Sequence, residues 1–315
     1  MKKILLSVVC LVVGIQCVMA QVAICALHHE GNVTIYSAAG LQTAIDNAVA
    51  GDTIYLSEGA FGGFNVTKPI AIIGAGQTTS ISGMATIGSN SGNMESGLLL
   101  NGLCFISDLT FNGLVNGARI SQCKISGTTS ITAAEDSGIE ILHTQMGSLV
   151  LGNGCNVKEL SVVSSKISEV SGFGKSAGSV NFVNCNIGES ENGDGETNNV
   201  YNNCIIEDTH TAYHAGYGTY VNCLLPSGDY SSNSFTLANC YQTSSFSLDD
   251  DLNCSMSDSE LQSNGYLGTD GKVVGITGGD SPFTLVMPFL QVVEHSYEVD
   301  QAERKLRVNL RLGNK

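Results

Sequence analysis

Val183-Asn184-Cys185-Asn186-Ile187, Asn202-Asn203-Cys204-Ile205-Ile206, Val221-Asn222-Cys223-Leu224-Leu225 and Ala238-Asn239-Cys240-Tyr241 are copies of one phrase. Their cysteines recur at nearly equal intervals along the chain. A self-similar period of about 20 residues marks a solenoid, in which each repeat packs only on its neighbours. Extended backwards, the cysteine column reads Leu109, Cys123, Thr144 and Ser165. The column before it reads Asp108, Gln122, His143 and Ser164, then the four asparagines. Two residues after the cysteine position come Phe111, Ile125, Met146, Ile167, Ile187, Ile206, Leu225 and Gln242. A small and an apolar residue two apart share one face of a strand, and the polar residue before them sits at a bend.

Helices do not fit this stretch. Charged residues make up 14% of the chain, glycines number 37, and β-branched residues dominate the short apolar runs. The expectation is an all-β chain, a parallel β-helix solenoid over 53–256. One coil cannot bury its upper and lower faces, so only the stacked array is stable. Leu41, Ala44, Ile45, Ala48 and Val49 form an amphipathic stripe, so residues 21–52 are expected to supply a strand and an N-terminal capping helix. The alternation of Leu306, Val308, Leu310 and Leu312 predicts a C-terminal β-hairpin within 283–315. Between them, 257–282 reads as a linker with turns at Asn264-Gly265, Asp270-Gly271 and Gly278-Gly279.

Residues 1–20 read as a signal peptide: Lys2 and Lys3, an apolar run from Ile4 to Ile15, and Val18-Met19-Ala20 before a cut at Gln21. The expected location is secreted, periplasmic or on the cell surface of a Gram-negative type bacterium, with no transmembrane segment. Export would remove two of the 14 basic residues and none of the 29 acidic ones. Such a balance argues against nucleic acid and anionic lipid as partners. Of the 11 cysteines, Cys10 and Cys17 would leave with the signal peptide, so an odd number would remain. No Cys-x-x-Cys pair with a matching partner suggests zinc.

Thr43-Ala44-Ile45-Asp46, Gly51-Asp52-Thr53-Ile54-Tyr55-Leu56-Ser57-Glu58-Gly59 and Ile70-Ala71-Ile72-Ile73-Gly74-Ala75-Gly76 together resemble the opening of the right-handed parallel β-helix of the pectin-lyase-like superfamily. The resemblance covers roughly 33–256 and implies that handedness. It also implies an asparagine ladder at the second bend and a substrate groove on one loop edge. His28–Tyr36 and the stretch from Gly268 to Phe283 resemble, more narrowly, exported bacterial β-helix proteins without an assigned activity. The superfamily mixes lyases, hydrolases, esterases and non-catalytic surface proteins, so the resemblance bears on fold more than on activity.

Two groups of residues invite a chemical reading. The ladder, Asn184, Asn203, Asn222 and Asn239 with Cys185, Cys204, Cys223 and Cys240, could offer thiols to a soft metal or to disulfides. Its structural reading is favoured, because asparagine tolerates a left-handed bend and parallel inward cysteines have poor bridge torsions. The second group is the loop edge after three successive strands: Glu189, Glu191, Asp194, Glu207, Asp208, His210, Tyr213, His214, Tyr217 and Tyr230. Tyrosine rings there, with Tyr201, Tyr220 and Tyr241, would stack on sugars, and the carboxylates could take Ca²⁺. Against catalysis stand the lone solenoid arginine, Arg119, the scattered lysines (Lys124 and Lys166 two coils apart in one outward column), and Asp249-Asp250-Asp251 without a neighbouring histidine. The expected function is a non-catalytic glycan-binding or cell-surface interaction module. The alternative is a polysaccharide lyase or glycoside hydrolase acting on acidic polysaccharide with Ca²⁺.

Overall fold

The computed structural model describes residues 23–89, 93–132, 138–152, 159–172, 179–190, 199–209, 218–230, 235–285, 290–300 and 305–314. The expected signal peptide lies outside them. The chain is all-β: a right-handed parallel β-helix with a short N-terminal helix and a C-terminal hairpin. No helix among the described residues is long and apolar enough to cross a membrane.

The N-terminal cap is a hairpin plus a helix. Ile24–His29 and Asn32–Ser37 pair antiparallel around Glu30-Gly31, both at positive φ (47° and 79°), the backbone a two-residue hairpin turn requires. Leu41–Asn47 is the capping helix, and Leu41, Ala44 and Ile45 are buried, as their spacing predicts. Lys68 Nζ closes its C-terminal end, donating to the carbonyls of Asp46 and Ala48 at 2.7 Å each. A cation suits the orphan carbonyls there. Asp52 Oδ2 accepts the Val49 amide at 2.8 Å and turns the chain into Thr53–Leu56, from which every later strand of the first sheet stacks in parallel.

Each coil then repeats one path: a strand of the first sheet, a one-residue bend, a strand of the second sheet. The bend residue holds φ between 45° and 55° at Gln122, His143, Ser164, Asn184, Asn203, Asn222 and Asn239. One member of the expected column is misplaced. Leu99 pairs with Arg119 and Cys104 with Lys124, so the residues in register with Gln122 and Cys123 are Gly102 (φ 62°) and Leu103, not Asp108 and Leu109. Leu109 instead pairs with Thr129, farther along the second sheet. The interval from Leu109 to Cys123 was the sign of this slip: it is shorter than every later step of the column, too short for a coil to close.

The second sheet is irregular in one coil, with a register shift between Ile125 and Thr128. Glycine stands at this point of the path at Gly127, Gly147 and Gly188, where a Cβ would meet backbone of the preceding coil at 2.7, 2.9 and 2.7 Å. Inside, the residue two before the bend builds a continuous core column: Ile120, Ile141, Val162, Phe182, Tyr201, Tyr220 and Leu237. Phe182, Tyr201 and Tyr220 stack nearly parallel at 4.8 and 4.7 Å, the spacing of adjacent strands.

The stretch 257–282, expected as a linker, is a packed strap. Ser257 and Glu260 form a reciprocal capping box on the short helix Asp258–Ser263. The chain then runs back along the bend column. The Thr269 amide donates to Asn203 Oδ1 (3.2 Å), the Ile276 amide to Asn186 Oδ1 (3.2 Å), and Ser281 Oγ meets His143 Nε2 (3.0 Å). The three anticipated turns are present, with Gly265, Gly271 and Gly279 at φ 75°, 74° and 73°. What drives the docking is apolar burial: Ile205 and Leu224, facing outward from the second sheet, are covered by Leu261, Val273 and Val274. The C-terminal hairpin pairs Leu290–Asp300 with Lys305–Asn314 as its own two-stranded sheet.

Candidate functional site

The asparagine–cysteine ladder is a structural element. Each small side chain after the bend donates back to the carbonyl two residues earlier. Thr144 reaches Leu142 at 3.0 Å, Ser165 reaches Val163 at 2.8 Å, and Cys185, Cys204 and Cys223 make the same contact at 3.3–3.5 Å. Cysteine, serine and threonine alternate in this column because the position asks for a small side chain carrying one donor. All described cysteines are free; Cys155 lies outside the described residues. Burial pushes the Cys123 thiol up to about 12, and burial followed by contact with the Cys185 and Cys223 thiols pushes Cys204 well up. The Cys123 and Cys204 thiols, held protonated in this way, are poor nucleophiles and poor metal ligands.

On the loop edge, Glu191, Asp194, His210, Tyr213, His214 and Tyr217 lie outside the described residues. Of the rest, the structure brings two together. Glu169 pairs in register with Glu189, and Glu189 with Asp208. These three carboxylates form a line along the solenoid axis, one coil apart, and Ser148 Oγ donates to the Glu169 carboxylate at 3.3 Å. Glu207 belongs elsewhere: its carboxylate accepts the Leu248 amide at 3.1 Å and anchors the C-terminal segment.

The tyrosines depart from the expected stacking edge. Tyr201 and Tyr220 are fully buried, because they occupy the core column two residues before the bend, the position Phe182 fills one coil earlier. Tyr230 is half-buried. Its hydroxyl is 3.0 Å from Thr209 Oγ1 and from the Pro226 carbonyl, its ring meets Phe235 edge-on, and burial pushes its phenol up. The Tyr241 hydroxyl donates to the Leu267 carbonyl at 3.0 Å under the strap. These four rings brace loops and core. The period-two position of Tyr201 and Tyr220 relative to the bend was the signal for this.

Lys166 and Asp249, both considered for catalysis, have structural partners. Lys124, Gln145 and Lys166 do share one outward column. Lys166 is buried, with Nζ donating to the Asp251 carbonyl (2.8 Å) and Asn253 Oδ1 (2.7 Å) beneath the Phe283 ring. Burial lowers its pKa, but every near acceptor belongs to the C-terminal segment. Asp249 receives the Asn253 and Asp251 amides at 2.8 and 3.0 Å, which hold its carboxyl below the usual range. It is a turn-forming residue. Among the described residues, no three His, Cys, Asp or Glu side chains are grouped to hold a metal ion. A cleft of ≈ 160 Å³ between strap and second sheet, lined by Asn186, Ile205, Cys254, Met256 and Leu261, has room for a few waters and is small beside ordinary ligand pockets.

Sequence reasoning missed one surface. The residues one and three before each bend face outward from the first sheet. The inner row runs Ser121, Leu142, Val163, Val183, Asn202, Val221; the other runs Arg119, Glu140, Ser161, Asn181, Val200, Thr219. Charge enters these rows at Arg119 and Glu140, which pair across coils at 3.9 Å. The result is a long, nearly neutral face of mainly small and β-branched residues on the first sheet, whereas the line of carboxylates belongs to the second.

In comparisons with known proteins, no family model, no curated protein and no solved structure matches this chain.

Proposed function

We propose that the chain is an exported, non-catalytic β-helix of the pectin-lyase-like kind that binds an extended glycan along its axis. The observation that carries this reading is the column Glu169–Glu189–Asp208, which repeats a carboxylate once per coil. Strands in a sheet lie ~4.8 Å apart, so the column presents hydrogen-bond acceptors at a regular interval, as suits a chain of repeated hydroxyl donors. Carboxylate acceptors form the stronger class of hydrogen bond. A line is poorly shaped for one ion: Ca²⁺ holds its oxygens at ~2.3–2.6 Å, so two neighbouring carboxylates can share an ion and three in a row cannot. This favours neutral glycan over a Ca²⁺-bridged acidic one. The polysaccharide lyase or hydrolase reading stands second, supported by the same carboxylate pairs.

A glycan array should show binding by the full chain that falls at least about tenfold in the Glu169→Gln/Glu189→Gln double variant, an amount equal to about 1.4 kcal/mol. Binding that is absent, or unchanged in the double variant, rejects the site. New unsaturated or reducing ends released from acidic polysaccharide with Ca²⁺ would favour the enzyme reading.

A further inference from the structure

The strand Asn32–Ser37 ends the first sheet: among the described residues it pairs with Ile24–His29 and with no other strand. The two-residue turn makes His29 and Asn32 a hydrogen-bonded pair, so alternation aims the backbone groups of Asn32, Thr34 and Tyr36 at the neighbouring strand. The N–H and C=O groups of Val33 and Ile35 point to the open edge, and no hydrogen bond among the described residues reaches them. Natural sheet edges are blunted by lysine, proline, a bulge or a covering segment. Here the register with Ile24–His29 is unbroken, no charged residue or proline stands between Glu30 and Asp46, and Val33 and Ile35 are 51% and 56% exposed. The face beside this edge is apolar. Val33 lies opposite His28, Ile35 opposite Ala26 and Ala26 opposite Tyr55, so these side chains share the outer face, while Cys25, Leu27, Ile54 and Leu56 fill the core. The described residues expose seven large apolar side chains, and four of them, Ile24, Val33, Ile35 and Tyr55, are on this one face. Scattered apolar side chains are ordinary on a surface, whereas a cluster marks a contact.

We propose that this edge is the self-association surface of the protein, Asn32–Ser37 of one copy pairing antiparallel with the same strand of a second copy about a two-fold axis at Thr34. Three arguments select a second copy. The first is register. With Thr34 opposite itself, Val33 of each copy stands opposite Ile35 of the other, and these open-edge residues are the ones free to exchange hydrogen bonds, two for each pair. The same register sets β-branched side chains directly across from each other, a favourable cross-strand pairing, and joins the two apolar faces on one side of a continuous sheet. The second is charge. The chain carries a formal net charge of −15, and two such chains repel. In this register each Glu30 falls opposite the uncharged Ala38 of the second copy, and the two Glu30 positions stand ~27 Å apart along the ribbon, well beyond the ~8 Å screening length of physiological salt. The third is closure. A two-fold contact uses up the open edge of both copies and leaves none to recruit a third. Strands of the first sheet are stacked along the solenoid axis with this one at the end, so the two solenoids meet end to end. The inference does not depend on the glycan reading.

Sedimentation equilibrium of the full chain over about 1–100 μM, with solution X-ray scattering of the same samples, tests the proposal. The expected result is a dimer whose longest dimension is nearly twice that of the monomer. Ile35→Pro removes an N–H that points away from the neighbouring strand, a change an edge strand tolerates. It deletes two of the four hydrogen bonds across the axis and should weaken association by about 30-fold. Val33→Lys, at an exposed position, should weaken it by at least about tenfold through an edge charge. Ile106→Lys, at an exposed apolar position just after a strand of the second sheet, should leave association unchanged. Far-UV circular dichroism identical to wild type separates loss of association from loss of fold in each variant. A wild-type monomer at about 100 μM, a dimer with the solenoids side by side, or a dimer that either folded edge variant leaves intact overturns the proposal.

Discussion

The bend asks for one residue that accepts positive φ, and the column Gln122, His143, Ser164, Asn184, Asn203, Asn222, Asn239 shows what can meet that demand. Left-handed backbone costs a non-glycine residue roughly 1–2 kcal/mol, least for asparagine, whose side chain bonds locally. Asn222 adds a contact between coils, its Nδ2 donating to Asn203 Oδ1 at 3.5 Å. Asn222→Val is expected to lose about 2 kcal/mol and Asn222→Gly less, read as the shift in the denaturation midpoint. Equal losses for the two variants would mean that the side-chain contact, not the backbone, sets the preference. The residue after the bend was legible in sequence as small and buried. Its second requirement, a donor for the carbonyl two residues back, came from the geometry shared by Thr144, Ser165 and the cysteines.

At the scale of elements, the N-terminal cap is clipped to the first coil by His29 Nδ1, 2.9 Å from Asp52 Oδ1. The hydrogen bond and charge of Asp52 raise His29 above its ordinary 6.5, with Glu30 at 3.9 Å adding to the effect. Burial alone would raise Asp52, but the Val49 amide, His29 and Lys68 outweigh it and hold the carboxyl below 3.8. The histidine contribution is thus complete below pH 6.5 and is lost as pH climbs through the raised value. That of the aspartate is complete above 3.8 and is lost as pH falls through the lowered one. Amide exchange in 24–37, corrected for intrinsic rates, should be slowest between these limits and accelerate on the alkaline side. His29→Gln should abolish that acceleration, and a variant that keeps it would rule out this clip. The capping helix and the C-terminal hairpin were legible from apolar spacing, whereas the N-terminal segment was expected to supply one strand and forms a hairpin of two. The strap was not, because Ser257–Pro282 carries the glycine and polar content of a linker, and its few anchors, Leu261, Val273 and Val274, have no period.

For the whole molecule, stacking by nearest neighbours means that a complete coil is removable. Excising Thr144–Ser164 would join His143 to Ser165, two positions already in bend register with their neighbours. The shortened chain is expected to stay soluble with an unchanged β-type circular dichroism spectrum. Its strap, spaced to reach from Asn203 to His143, would no longer match the solenoid. Limited proteolysis within 264–285 should quicken by roughly tenfold, about 1.4 kcal/mol of local stability. An aggregated product would show that the coil is not an independent unit, and an unchanged cleavage rate would show that the strap is held elsewhere.

By itself, the sequence determined the coil: its period, its bend, its inward column and the need for caps at the ends, because each is a local pattern repeated where the backbone repeats. Tertiary structure alone decided which outward residues remain on the surface. Leu224 and Lys166 look like surface positions in their columns and are buried by segments that follow much later in the chain. Glu169, Glu189 and Asp208 became a line only once register across three coils set them in one column. Burial and alignment of that kind depend on contacts between distant segments, and no short window of sequence contains them.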